Sequence, residues 1–223
     1  MSIPVKPRER LSRDRVIDAA IQVMDAEGLD SVSMRRVARE VGVEAMSLYH
    51  HVRDKDDLLL GICDRVMSHF DFPEEQGDWE YRCRAGARAW RQLLQRHPDL
   101  MRLFAESHGP VPRSTGSLRP TEFALRLLRE IGLSDRDTVQ AFHAIGGYIQ
   151  GFVMMEGGSI KGGGHEGNFA AAALAAGLSP EDFPALSAVG RYFAECEGDE
   201  QFEFGLDLLI AGLRAKVEAA SQD

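Results

Sequence analysis

The chain has 223 residues, of which 44% are hydrophobic and 27% charged, the proportions of an ordinary globular protein of one or two domains. No apolar run approaches the ~20 residues that span a bilayer, and Met1 to Arg10 hold no apolar signal core, so no membrane partner and a cytoplasmic location are expected. The net charge of −9 speaks at first against nucleic acid, but residues 1–15 carry five basic and two acidic side chains, whereas residues 161–223 carry four basic and eleven acidic ones. A basic end on an acidic body suits a small DNA-reading head, the alternative being a solvated basic tail.

The periodicity is helical almost throughout. Ile17, Ala20, Ile21 and Met24 recur at the spacing of an amphipathic helix over 13–27, which Gly28 ends. Ser33 can cap a short helix from Met34 to about Val41; Gly42 supplies a tight turn, and a third short helix runs from Glu44 to about His51. Asp54 can cap a fourth, from Lys55 to about Phe70. Phe72 to Gly77 is a break and the first candidate domain boundary. Further helices are predicted over 78–96, from Pro98 to about Ser107, over 121–131, over 135–156 after a Ser134 cap, over 169–176, over 184–195 and over 199–220. Residues 108–120, with three prolines and two glycines, read as a loop, and 157–167, with six glycines, as the most flexible segment. No strand and no internal repeat is expected, so the fold class is all-α.

Other chemistry finds little footing. Cys63, Cys83 and Cys196 are odd in number and scattered, against a disulfide framework or a four-ligand zinc site and in favour of a reducing compartment. His50 and His51 are adjacent, hence on different helix faces, and make a poor metal pair. The glycines before His165 and Glu166 lack the spacing and the Lys-Ser/Thr pair of a phosphate loop. No catalytic constellation, cofactor or metal site is expected.

Three short helices within some forty residues, the second and third joined at Gly42, form a helix-turn-helix candidate. The second helix braces on the phosphate backbone and the third enters the major groove. In the stretch Val43 to His51, Val43 and Leu48 anchor inward, leaving Ala45, Met46, Ser47, Tyr49 and His50 outward. The residues add to this spacing. Arg15-Val16-Ile17-Asp18-Ala19-Ala20, Glu27-Gly28-Leu29-Asp30, Ser33-Met34-Arg35-Arg36-Val37-Ala38, Gly42-Val43-Glu44, Leu48-Tyr49-His50-His51-Val52 and Lys55-Asp56-Asp57-Leu58-Leu59 together resemble the DNA-binding domain of the TetR family of transcriptional regulators. Arg119-Pro120-Thr121-Glu122 and the run Phe202 to Leu213 resemble the C-terminal domain of its tetracycline-binding branch. The resemblance implies a helix-turn-helix domain over 1–55 and a larger helical effector-binding and dimerisation domain over 56–223, and no enzyme.

It also implies roles for residues. Arg35 matches a guanine-reading arginine, whose bidentate fork suits O6 and N7, with a phosphate contact or a solvated side chain as the alternatives. Tyr49 and His50 match positions at phosphates and the groove edge, and Lys55 a phosphate-contacting lysine at a helix start. Ser33, Arg36, Ala45, Met46, Ser47 and His51 complete the expected DNA-contacting set. Ala45 stands where the tetracycline-binding members have an adenine-reading glutamine; it offers only a methyl group, and Met46 adds apolar surface in place of a proline, so a different operator is expected.

Two long helices are apolar on more than one face. Phe142, Ile145, Ile149 and Val153 line one stripe of 135–156, and Gly146, Gly147 and Gly151 allow close approach on another. Phe202, Leu206, Leu209, Leu213 and Val217 line one face of 199–220, and Phe204, Leu208, Ala211 and Ala215 a second. The resemblance implies that these helices form a homodimer interface, for which Phe142, Ile145, Ile149, Val153, Phe202, Leu206, Leu209 and Leu213 are the expected residues; a monomeric core is the alternative. Two heads then require a pseudo-palindromic DNA operator.

Candidate effector-lining residues are Trp90, Leu94, Phe104, Phe123, Leu127, Phe142, Met155 and Glu156, Glu156 matching an acidic residue near the drug's metal. Met67, Gly86 and Thr115 replace a histidine, an asparagine and a metal-binding histidine of the tetracycline-binding members. The expected partner is therefore an unidentified, largely apolar small molecule rather than magnesium–tetracycline. The whole reads as a ligand-responsive regulator, most simply a repressor released by its effector, with a helical small-molecule-binding protein or an activator as the alternative.

Overall fold

A computed structural model of the chain describes residues 10–73, 76–106, 115–160, 181–190 and 198–220, with the single residues 179 and 192. Its ordered elements are helices: α1 (Arg13–Glu27), α2 (Met34–Val41), α3 (Ala45–Leu48), α4 (Lys55–Ser68), α5 (Trp79–Arg96), α6 (Leu100–Glu106), α7 (Thr115–Glu130), α8 (Asp135–Ile160), α9 (Pro184–Val189) and α10 (Gly198–Ala220), with one 3-10 turn at Leu29–Ser31. Among the described residues there is no strand, and no helix is long and apolar enough to cross a membrane. The chain divides into two compact units, Met1–Phe70 with Arg96–Pro120, and Asp71–Gln95 with Thr121–Asp223.

In the first unit the caps fix the helix starts. The Ser12, Ser33 and Asp54 side chains accept from the backbone N–H groups of Arg15, Arg36 and Asp57, satisfying donors that the first helical turn leaves free. Gly42, at φ +76°, closes α2 with its N–H on the Ala38 carbonyl at 2.9 Å, a left-handed conformation that glycine adopts without a Cβ clash. Val16, Ala20, Val37, Leu48, Leu58 and Ile62 fill the core at 0% exposure, binding α1 to α4 into one body. Gly61 lets α1 and α4 approach closely: a Cβ there would meet Ile17 at 2.2 Å. The α6 region joins this unit through polar contacts. Asp99 accepts from the Leu29 N–H at 2.8 Å, His97 meets Asp25, and Arg102 meets Asp30.

In the second unit α8 and α10 pack together. Phe202 and Leu206 of α10 are 0% exposed, and Tyr148 of α8 stacks on Phe202 at 5.6 Å and donates its hydroxyl hydrogen to the Phe202 carbonyl. Gly205 makes room for that ring. A seam of ion pairs runs antiparallel between α5 and α10: Glu80 with Arg214, Arg84 with Asp207, Arg88 with Glu203, and Arg91 with Asp199. Lys216 and Asp137 tie α10 to the start of α8, where Ser134 caps the Asp137 N–H.

Several boundaries differ from the sequence expectation. Thr115–Pro120, expected in a loop, is helical. Pro120 lacks an N–H and its ring crowds the preceding turn, but Ser117, Pro120, Phe123 and Leu127 make one buried stripe along α7, and that burial carries the helix through. α8 runs on through Gly157 and Gly158 to Ile160. α3 is only four residues long, because residues 49–54 turn back toward α4. α5 begins at Trp79, α6 at Leu100 after Pro98, and α10 at Gly198. The helix expected over 169–176, most of the glycine-rich segment, and the end of the helix expected over 184–195 lie outside the described residues.

Candidate DNA interface and effector domain

Local geometry decides which side chains of the first unit face outward. Leu48 (0% exposed) and Val52 (1%) pin α3 from below. Met46, 73% exposed, and Tyr49, 48% exposed, stand off the opposite side together with His50, while Ala45, Ser47 and His51 are half-buried. On α2 two neighbouring arginines part company. Arg35 is exposed and, like Lys55 at the first turn of α4, makes no hydrogen bond or ion pair among the described residues. Arg36 is held between two carboxylates. Its Nε donates to both Glu27 oxygens at 3.0 and 3.1 Å, and its Nη1 to Glu40 at 2.8 Å. The hydrogen bonds it donates to Glu27 and then Glu40 raise its pKa, and the Arg36 guanidinium lowers that of Glu27. Arg36 thus braces α2 against the end of α1, with its charge compensated. Ser33 spends its hydroxyl oxygen on the α2 cap.

Behind this surface lies a junction that the sequence reading did not single out. Asp57, 6% exposed, takes both Arg13 Nη atoms at 3.1 Å and the Arg53 N–H at 2.9 Å. Arg13 also donates to the His51 carbonyl at 2.9 Å. The Arg13 hydrogen bonds hold the Asp57 carboxyl far below the usual carboxylate range, against the opposing effect of burial.

The candidate effector residues of the second unit do not form one group. Leu94, Phe123 and Leu127 are buried, and Trp90 is half-buried. Phe123 meets Phe72 edge-on at 5.8 Å and lies over Gly86, where a Cβ would stand 3.1 Å from the ring, so glycine at 86 leaves room for an aromatic ring where a longer side chain would collide. Phe142 and Ile145 sit elsewhere, with Trp79, around Leu128, Leu133 and Leu213. Met155 points outward at 56% exposure. The side chains of Phe104 and Thr115 lie outside the described residues.

Glu156 is already engaged. It accepts from Arg91 Nη2 at 2.5 Å and Nε at 3.2 Å and from the Gln95 amide at 3.1 Å. Arg91, 9% exposed, lies over the rings of Phe202 (4.6 Å) and Phe152 (5.3 Å). Burial works against its charge, and Glu156 and Asp199 more than offset it. The signal for Arg91 was present in the sequence: it occupies the stripe of Cys83, Ala87 and Leu94, where every other residue is apolar. Burial pushes the Cys63 thiol up to about 12 and the Cys83 thiol to about 11, far from the range of a reactive thiolate. Among the described residues no three His, Cys, Asp or Glu side chains cluster as a metal site.

Of the expected interface residues, Phe202, Leu206, Ile149, Val153 and Leu213 are buried within the single chain, and Phe142, Ile145 and Leu209 are half-buried. The face left open is the other one. It carries Val139, His143, Gly147, Gly151 and Met154 on α8, and Phe204, Leu208, Ala211 and Ala215 on α10. Met154, Phe204 and Leu208 are 69%, 67% and 62% exposed.

A short helix with free polar and apolar side chains, braced by a second across a glycine turn and followed by an all-helical unit, defines a helix-turn-helix DNA-binding regulator. Residues 16–62 match the family described as bacterial regulatory proteins, tetR family, and residues 72–217 the tetracyclin repressor-like C-terminal domain. The chain belongs to the tetR family. It is 40% identical over 147 residues to the HTH-type transcriptional repressor DrrR1 of Streptomyces coeruleorubidus, a match covering 65% of this chain and 53% of that protein. To the tetracycline repressor protein class D of Escherichia coli it is 27% identical over 217 residues, 96% of this chain and 94% of that one. The crystal structure of the Streptomyces coelicolor TetR family protein ActR in complex with actinorhodin superposes with a TM-score of 0.79 at 31% identity, covering 93% of this chain and 97% of that one.

Proposed function

We propose that this protein is a cytoplasmic repressor that binds a pseudo-palindromic operator as a homodimer and is released by a small, largely apolar effector. Residues 1–55 would read DNA, and residues 56–223 would bind effector and partner. The observation that carries the reading is the pairing of an uncompensated Arg35 with the exposed Met46, Tyr49, His50 and Lys55 on one short helix-turn-helix. Arg36, neutralised by Glu27 and Glu40, supports the reading as a brace rather than a base reader.

The second copy is supported by the open face of α8 and α10. An added Cβ at Gly146, Gly147, Gly151 or Gly212 would meet open space, so a partner helix has room to approach closely. The interface is therefore assigned to Phe204, Leu208, Ala211, Ala215, Gly147, Gly151 and Met154, the faces opposite the stripes that fill the chain's own core. The effector class is supported by Leu94, Phe123 and Leu127, by Gly86 in place of a polar side chain, and by Glu156 being occupied by Arg91. The actinorhodin complex of ActR supplies a first compound to try.

The test is fluorescence anisotropy of the purified protein on duplex DNA from upstream of its own gene, across a salt series. Saturable binding of one dimer per site, far tighter than to scrambled DNA and reversed by an effector such as actinorhodin, is the expected result. Equal weak binding to both duplexes, abolished by modest salt, would leave phosphate attraction alone and overturn the operator reading.

A further inference from the structure

We propose that Arg13 and Asp57 form a positioning pair for DNA binding, setting the stretch between α3 and α4 from which the protein meets the phosphate backbone. The proposal rests on the DNA-reading role of the first unit. Arg13, in the first turn of α1, reaches the chain thirty-eight residues away at the His51 carbonyl (2.9 Å) and forty-four away at Asp57 (3.1 Å twice). Asp57 in turn holds the Arg53 N–H at 2.9 Å, and its own N–H is held by Asp54 at 2.7 Å. One guanidinium and one carboxylate therefore fix His51 and Arg53 together, and the backbone N–H of Asp57 seats the Asp54 cap beside them. These residues lie between Tyr49 and His50 on one side and Lys55 on the other, all three exposed. Neither member faces DNA as a free charge: Asp57 is buried, and Arg13 spends both terminal nitrogens on it.

The arrangement also has an electrostatic consequence. A carboxylate beside a phosphate-binding edge repels DNA unless it is matched, and Asp57 is matched by Arg13 and, at 3.6 Å, by Arg53. On charge alone, removing the Asp57 carboxylate would tighten DNA binding. On the positioning account, removing it loosens the stretch that aims Lys55 and the α4 N-terminus, and binding weakens. The two accounts predict opposite signs for one substitution.

The experiment uses the full chain and the duplex that the wild-type protein enriches most strongly from a randomised pool. Affinity is measured between 50 and 200 mM salt for the wild type, Asp57→Asn, Arg13→Gln and the exchanged pair Arg13→Asp with Asp57→Arg, and folding of each is checked by circular dichroism. Asp57→Asn is expected to bind about tenfold more weakly at 0.1 M salt, with a salt slope shallower by about 1, the signature of one lost phosphate contact. Arg13→Gln is expected to lose affinity likewise, and the exchanged pair to regain part of it. If Asp57→Asn fails to fold, Arg13→Gln decides, since Asp57 keeps the Arg53 N–H in that variant. A folded Asp57→Asn protein that binds as tightly as wild type or tighter, with an unchanged slope, overturns the proposal while leaving sequence-specific binding intact. A wild-type protein that enriches no sequence overturns the operator reading, and the positioning role with it.

Discussion

Arg35 and Arg36 are adjacent in sequence and opposite in circumstance. Successive helix positions point about 100° apart, which turns Arg36 toward Glu27 and Glu40 and leaves Arg35 to solvent. Removing the free guanidinium should remove discrimination: Arg35→Ala is expected to lower affinity for the preferred duplex by about 1–3 kcal/mol and to relax preference at one base pair per half-site. Repeating the enrichment with the variant checks this, and an unchanged preferred sequence would return Arg35 to the class of phosphate contacts. That Met46, Tyr49 and His50 stand outward was legible from the sequence, and which of two arginines is spoken for was not. The partner Glu27 sits nine residues away on another helix, beyond any local rule. Arg91 was within reach of such a rule, as a charge on an otherwise apolar stripe, but its partners Glu156 and Asp199 come from α8 and α10.

Helices begin where their caps stand. Ser33, Asp54 and Ser134 were readable as caps, and each accepts the backbone hydrogen bond expected of it, so α2, α4 and α8 start where the sequence puts them. Gly28, Gly42 and Gly132 close α1, α2 and α7 as expected, whereas burial overrides propensity at Pro120 in α7 and α8 continues past two glycines. For α10 the sequence showed two apolar faces, and the resemblance put the contact between copies on the face of Phe202, Leu206, Leu209 and Leu213. The structure ranks them by what each touches, and opposite outcomes follow. Phe202→Ala opens a cavity beneath Tyr148, Phe152 and Arg91 and is expected to cost about 3–5 kcal/mol of stability. Leu208→Glu, on the open face, should leave helix content unchanged and halve the mass measured by sedimentation equilibrium. A Leu208→Glu protein that sediments as the wild type does would place the contact between copies elsewhere.

At the scale of the whole molecule, acidic residues outnumber basic ones by nine, yet many of the described carboxylates are tied to arginine. Arg13 lowers the Asp57 pKa, Arg88 that of Glu203, Arg102 that of Asp30 and Arg36 that of Glu27. A carboxyl depressed by folding contributes stability in full above its unfolded value, near 4, and loses that contribution as pH falls through its folded one. Urea midpoints are therefore expected to hold level from neutrality down to about pH 5 and to fall below about pH 4. The Asp57→Asn variant should start lower and fall less steeply over the acid limb. Parallel curves would remove Asp57 from that account.

The chain holds two tryptophans, Trp79 and Trp90, and both lie on α5. The second compact unit contains them, and the first contains none. The protein's intrinsic indole emission is therefore a built-in lamp in one unit alone, while the helix-turn-helix carries only the weaker fluorophore of Tyr49. A change in that emission on adding duplex DNA would have to arise in a unit that holds none of the side chains proposed to contact DNA. An unlabelled sample in a fluorimeter thus tests whether contact with DNA at the proposed surface is felt in the second unit.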